Sequence, residues 1–166
     1  MNPIYRTGHI GMDTADRESE RVRRMRNKLE HVQWLRKYDW AFWGTFNLRP
    51  KIYRKAAVRR FEEWVRQIAQ REDAEVYWVR VGERGPEQNL YHYHVLVSEF
   101  SKTTINEAKQ LWWGLAGELH FDQYDRNRPA LDYMLKSLDD TDDPDIVWHL
   151  PDEPPVRTRF GVRRRV

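Results

Sequence analysis

The sequence predicts an α+β domain with a split β-α-β (ferredoxin- or RRM-like) antiparallel sheet, helices on one face, and an open face on which to build a site. Three observations predict it. Short runs rich in aromatic and β-branched residues alternate with longer stretches whose apolar residues recur every three or four positions, in the order β-α-β-β-α-β and then a helix. Two of the strand-like runs flank Glu83-Arg84-Gly85-Pro86-Glu87-Gln88-Asn89, a segment dense in turn residues, and so should form a hairpin. The length of 166 residues, with 40% apolar and 33% charged, suits one folded domain with appended arms.

Residues 1–12 read as a lead. From Thr14 to Lys37 an arginine-rich helix carries Val22, Met25, Leu29, Val32 and Leu35 in a narrow stripe, so it should lie against a domain rather than form its centre. With it, residues 1–38 make an N-terminal lead and basic helix. Trp40 to Asn47 reads as a buried strand, ended by Arg49-Pro50. A helix follows from Tyr53 to Arg71, with Ala57, Phe61, Trp64, Val65 and Ile68 on one face. Glu75–Gly82 and Leu90–Ser98 are the hairpin strands. Thr103 or Thr104 can cap the next helix, ending near Gly114 or Gly117, with Glu107 at capping-box spacing from Thr104. Leu119–Tyr124 is a weaker strand, and Pro129 suits the first turn of a last helix over 129–138. The sheet domain therefore spans 39–140. The acidic, proline-containing stretch 139–155 and the arginine tail read as a partly ordered extension, grouped as 141–166.

The chain has no cysteine, which removes disulfides, thiol catalysis and Cys-ligated zinc, and fits a reducing compartment. No apolar run approaches the roughly 20 residues of a membrane span, and no signal-peptide stretch opens the chain, so a soluble, cytoplasmic protein is expected. The net charge of +3 conceals an asymmetry: residues 1–71 carry 17 Lys and Arg against 8 Asp and Glu, and the remainder 12 against 18. Clustered cations suit a polyanion, although a solvated basic helix face has the same composition.

The sharpest local feature is Tyr91-His92-Tyr93-His94-Val95-Leu96-Val97. On a strand, His92 and His94 project from one face, about 7 Å apart, while Tyr93, Val95 and Val97 project from the other. The two imidazoles are close enough to converge on one metal ion, and Glu83, or Glu87 and Gln88 in the turn, lies near enough to add an oxygen. We take Glu83 over Glu87. Two nitrogens and one carboxylate leave coordination positions open, and ligation without thiolate accepts Mn or Mg as well as Zn. Against this stands the plainer account of two strand histidines and solvated turn carboxylates. Tyr133 and Lys136 share one face of the last helix, leaving Leu131, Met134 and Leu135 to pack elsewhere. A cation near that tyrosine would favour its phenolate.

Taken in order, Trp43-Gly44-Thr45-Phe46-Asn47, His92-Tyr93-His94 and Tyr133-Met134-Leu135-Lys136 resemble the three motifs of HUH endonucleases, specifically the single-tyrosine rolling-circle replication initiator (Rep) proteins. The resemblance covers about residues 40–140. It implies a nickase and strand transferase for single-stranded DNA, acting at an origin or hairpin. His92, His94 and an acidic residue would hold a divalent ion, Tyr133 would form a 5′-phosphotyrosine link, and Lys136 would orient the tyrosine or stabilise charge. Arg49, Lys51, Arg54, Lys55 and Arg59, together with Arg60, would bind phosphates, and exposed aromatics would stack bases. No second tyrosine sits one turn after Tyr133, which disfavours the two-tyrosine members. The chain lacks a Gly-x-x-x-x-Gly-Lys motif, so a separate helicase is an expected partner. Other readings are a single-tyrosine transposase or relaxase of the same superfamily, for which Tyr5 or Tyr38 would serve as nucleophile. A non-catalytic module binding single-stranded nucleic acid is another, and a metal-dependent enzyme on small molecules ranks last.

Overall fold

Alternating burial along the first strand decides how the layers assemble. The computed structural model describes residues 14–85, 90–136 and 145–151, with the short pairs 157–158 and 161–162. After a first helix, α1 (Thr14–Leu35), comes the strand β1 (Phe42–Asn47), which turns Phe42 and Phe46 to one side and Trp43, Thr45 and Asn47 to the other. There follow α2 (Arg54–Glu72), β2 (Trp78–Arg84), β3 (Tyr91–Val97), α3 (Ile105–Leu115), β4 (Leu119–Gln123), a one-turn helix α4 (Ala130–Met134) and β5 (Asp145–His149). The last described residues pair as two short strands, β6 (Arg157–Thr158) and β7 (Gly161–Val162). The main sheet has the order β4-β1-β3-β2-β5, and every neighbouring pair is antiparallel.

The first face carries an aromatic core beneath α2 and α3. Phe46 lies edge-on to Phe61, Trp64 and Trp112, at centroid distances of 5.5, 4.9 and 5.0 Å, the arrangement that ring quadrupoles favour. Each buried indole N–H finds an acceptor: Trp64 donates to the Ala108 carbonyl at 2.9 Å and Trp112 to the Asn47 carbonyl at 3.1 Å. Thr104 caps α3 in a full capping box with Glu107, as its spacing predicts. The C-terminal end of α2 is tied down by Glu72, a buried carboxylate that accepts the backbone N–H groups of Ser101, Lys102 and Thr103 at 2.8–3.0 Å.

The second face is covered only in part. Val79, Val81 and Leu96 pack there with Val32 and Leu35 of α1, with Tyr38 and Trp40, and with Leu131, Met134 and Leu135. Only the last turns of α1 take part: Val22, Met25 and Leu29 of its apolar stripe stay about half exposed while Val32 and Leu35 are buried. Toward the β2–β3 turn the apolar covering ends, and Glu83, His92 and Asn47 stand on this face partly buried.

Three boundaries differ from the sequence reading. The strand expected from Glu75 begins at Trp78 and continues to Arg84, which brings Glu83 into the ladder. The helix expected over 129–138 is α-helical only over Ala130–Met134. The extension expected over 139–155 contains β5, paired along β2 from Trp78↔His149 to Gly82↔Asp145. Its start is fixed by Asp145, which accepts a hydrogen bond from the Tyr91 hydroxyl and pairs with Arg54 at 3.1 Å and with the buried Arg80 at 3.8 Å. Ile146 packs toward the second core. A residue of a stretch read as a partly ordered acidic extension is here the partner of two arginines. Glu87, Gln88 and residues 137–144 lie outside the described residues.

Candidate metal and tyrosine site

Sheet register builds the site. Glu83 is the direct cross-strand partner of His92, and His94 pairs with Val81 on one side and Thr45 on the other. Cross-strand partners point to the same face, so one carboxylate and two imidazoles are gathered by backbone pairing alone. Glu83 Oε1 is 3.1 Å from His92 Nε2 and 3.4 Å from His94 Nε2. One ligand atom from each of the three residues lies within 4.8 Å of the others, so the group could hold a metal ion.

Burial sharpens their roles. His94 is almost wholly enclosed, its ring parallel to that of Trp43 at 6.2 Å. Desolvation pushes its pKa down to about 4 in spite of the attraction of Glu83, so the ring is neutral at pH 7. Thr45 Oγ1 meets His94 Nδ1 at 3.2 Å. Which of the two donates depends on the ring's tautomer; with the proton on Nδ1, donated to Thr45, the Nε2 lone pair would face the cluster, as a metal ligand needs. Nε2 is buried and, among the described residues, has no partner with hydrogen-bond geometry. A buried imidazole nitrogen without a hydrogen-bond partner, beside a second imidazole and a carboxylate, fits a divalent cation. Desolvation works to raise the Glu83 pKa, but the Lys136 hydrogen bond and the nearby His94, Lys136 and His92 charges hold it below its ordinary value, so it stays anionic.

The last helix delivers the remaining two groups. Leu131, Met134 and Leu135 anchor α4 and its following turn in the second core, which leaves Tyr133 outward and half exposed. The Tyr133 ring meets His94 edge-on at 5.0 Å and Trp43 at 6.1 Å. Lys136 Nζ lies 4.3 Å from the centre of the Tyr133 ring and 3.0 Å from Glu83 Oε1. Burial pulls the Lys136 pKa down, yet its bonds to Glu83 and Tyr133 outweigh this and hold the ammonium charged. His92, His94, Glu83, Tyr133 and Lys136 are therefore brought together, although 53 positions in the chain separate Glu83 from Lys136.

The five basic residues expected to touch phosphate are dispersed. Arg49 stands just beyond β1, its guanidinium 5.1 Å from the exposed Trp113 ring and donating to the Trp113 carbonyl. With His92 it lines an open cleft of about 670 Å³ at this end of the sheet. Lys51 is exposed in the turn before α2 with φ 73°, and Arg54 is held by Asp145. Lys55 and Arg59 are exposed on α2, behind the sheet from the histidines, and Arg60 donates to the Leu115 carbonyl. Tyr38 is buried between Trp34 and Trp40 and does not present its ring at the cluster. Tyr5 lies outside the described residues. Thr45 and Trp43 are contributors whose roles the sequence reading did not identify: alternation along β1 gives their shared face, but the pairing with β3 is needed to see that His94 stands between them. Among the described residues no helix is long and apolar enough to cross a membrane. No protein family, curated protein or solved structure matches this chain.

Proposed function

We propose that this protein is a metal-dependent nicking and joining enzyme for single-stranded DNA, of the kind that initiates rolling-circle replication through a covalent link on Tyr133. One observation carries the reading: a half-exposed tyrosine on α4 meets the inner face of a Glu–His–His cluster, with a lysine between the phenol ring and the carboxylate. A catalytic tyrosine needs a charge-stabilised approach to phosphorus, and a core tyrosine needs none of these neighbours.

Glu83, His92 and His94 would hold the divalent ion, which supplies Lewis-acid polarisation of the scissile phosphate. The remaining steps belong to the chain. Tyr133 Oη attacks phosphorus as the bond to the 3′ oxygen breaks. One P–O bond replaces another, and the phenolic proton balances the released 3′-hydroxyl. The 5′ phosphate stays on the tyrosine, and reversal rejoins the strand without ATP. Lys136 supplies positive charge beside the attacking oxygen, and Trp43 with His94 fixes the ring that carries it. Thr45 holds the His94 tautomer.

The test is incubation of the protein with end-labelled single-stranded oligonucleotides and Mn or Mg, followed by denaturing electrophoresis. The expected result is a protein–DNA adduct that survives denaturation and is lost in Tyr133→Phe. No adduct across a varied oligonucleotide pool, with metal present and the protein folded, overturns the reading.

A further inference from the structure

Two adjacent tryptophans on α3 have opposite fates. Trp112 is fully buried and bonded to the end of β1, whereas Trp113 is 61% exposed. Large exposed aromatic surface is unfavourable in water, and here it is not scattered: the indole forms one wall of the cleft that reaches His92. The wall is built firmly. Gly117 lets the turn after α3 press against the end of β1, where a Cβ would collide with the Asn47 carbonyl. Arg49 bonds back to the Trp113 carbonyl and lays its guanidinium near the ring.

We infer that this cleft is a base-binding subsite, in which one unpaired nucleobase of single-stranded DNA stacks on Trp113 beside Arg49 while the adjoining phosphate reaches the Glu83–His92–His94 cluster. The inference rests on the nicking reading and adds what holds the strand in place. Flat, amphipathic bases match an exposed indole flanked by a cation, and stacking of this kind tolerates any base. The cleft's volume lies within the roughly 300–1,000 Å³ of small-ligand sites. Its charge argues for a base over a phosphate: among the described residues Arg49 is the one Lys or Arg of the lining, and the acidic Glu118 lines it too. The backbone charge is thus left to the cluster and to solvent.

The experiment measures equilibrium binding of a short fluorescein-labelled DNA strand by fluorescence anisotropy. It uses the Tyr133→Phe protein with chelator present, so that neither cleavage nor metal enters. Trp113→Ala in that background should weaken binding by about tenfold or more, the usual scale of a lost stacking contact, and Trp113→Phe should restore most of it. The slope of log affinity against log salt should stay unchanged, because no phosphate contact is removed. Equal affinity for Trp113→Ala and its parent overturns the inference, as does a loss that Phe does not rescue or that flattens the salt slope. Adduct formation by the unmodified protein reports separately on the nicking reading. A stacking loss without any adduct keeps the subsite and removes the chemistry, and an adduct with no stacking loss does the reverse.

Discussion

Lys136 Nζ and Glu83 Oε1 are 3.0 Å apart, and the oxygen that takes the ammonium is the same one that faces both imidazoles. An internal cation therefore sits against the carboxylate that a divalent ion would also claim. The two cations would compete for Glu83 unless the lysine swung aside.

Replacing Lys136 with Met should strengthen Mn binding. The ion pair is partly exposed, so the gain is modest, up to about fivefold from a contact of roughly 0.2–1 kcal/mol. Titration calorimetry checks it. Weaker binding in Lys136→Met would mean that the ammonium orients Glu83 rather than competing for it.

Thr45→Val removes the hydroxyl at His94 Nδ1 while keeping the side chain's shape. Without that contact the imidazole is free to carry its proton on either nitrogen and to rotate, so the Nε2 lone pair is less often presented to a metal. Metal affinity should fall about 10–100-fold, the cost typical of a lost partner behind a ligand, with the melting temperature little changed. Unchanged affinity would remove Thr45 from the site.

Glu72 gives the fold a pH dependence of known sign. Burial works to raise its pKa, but the N–H groups of Lys102, Ser101 and Thr103 outweigh this and hold it below the ordinary carboxylate value. A depressed folded-state pKa contributes stability above the unfolded value of about 4.3, and the contribution is lost as pH falls through the folded value. Glu72→Gln should cost about 1.5–3 kcal/mol at neutral pH and flatten the decline in stability under acid, read by urea unfolding across pH. Parallel pH curves for the two proteins would place the acid sensitivity elsewhere.

Asp145→Ala should be more damaging. It strips the partner from Arg80, whose side chain is only 5% exposed, and from Arg54 and the Tyr91 hydroxyl as well. An uncompensated buried charge costs about 3–5 kcal/mol, and β5 should lose hydrogen-exchange protection before the rest of the sheet. A loss below 1 kcal/mol, on the scale of an exposed pair, would mean that Arg80 finds another partner.

What was legible in the sequence is what depends on neighbours in the chain. The face shared by His92 and His94 follows from alternation, the capping box of Thr104 and Glu107 from spacing, and the burial of Phe61 and Trp64 from helical periodicity. The split of Tyr133 and Lys136 from Leu131, Met134 and Leu135 is local too. β5 was not legible, because Asp145–His149 is short and follows an acidic run, and its ladder partner lies some 70 residues earlier. The partial covering of the second face had the same cause: nothing near Val32 and Leu35 says that they meet Leu131. Dispersal of the basic residues was hidden for a simpler reason, since charge counts carry no direction.

The pairing of Glu83 with His92 ties chemistry to correct assembly of the hairpin. Were β2 to slide by a single position against β3, every side chain on it would turn over, and the carboxylate would land among the aromatic rings of the opposite layer. Such a counterfeit sheet could still bury oil, but it would have no grip on a divalent ion. A metal bound at Glu83, His92 and His94 would thus double as proofreading, rewarding only chains whose strands have found their proper alignment.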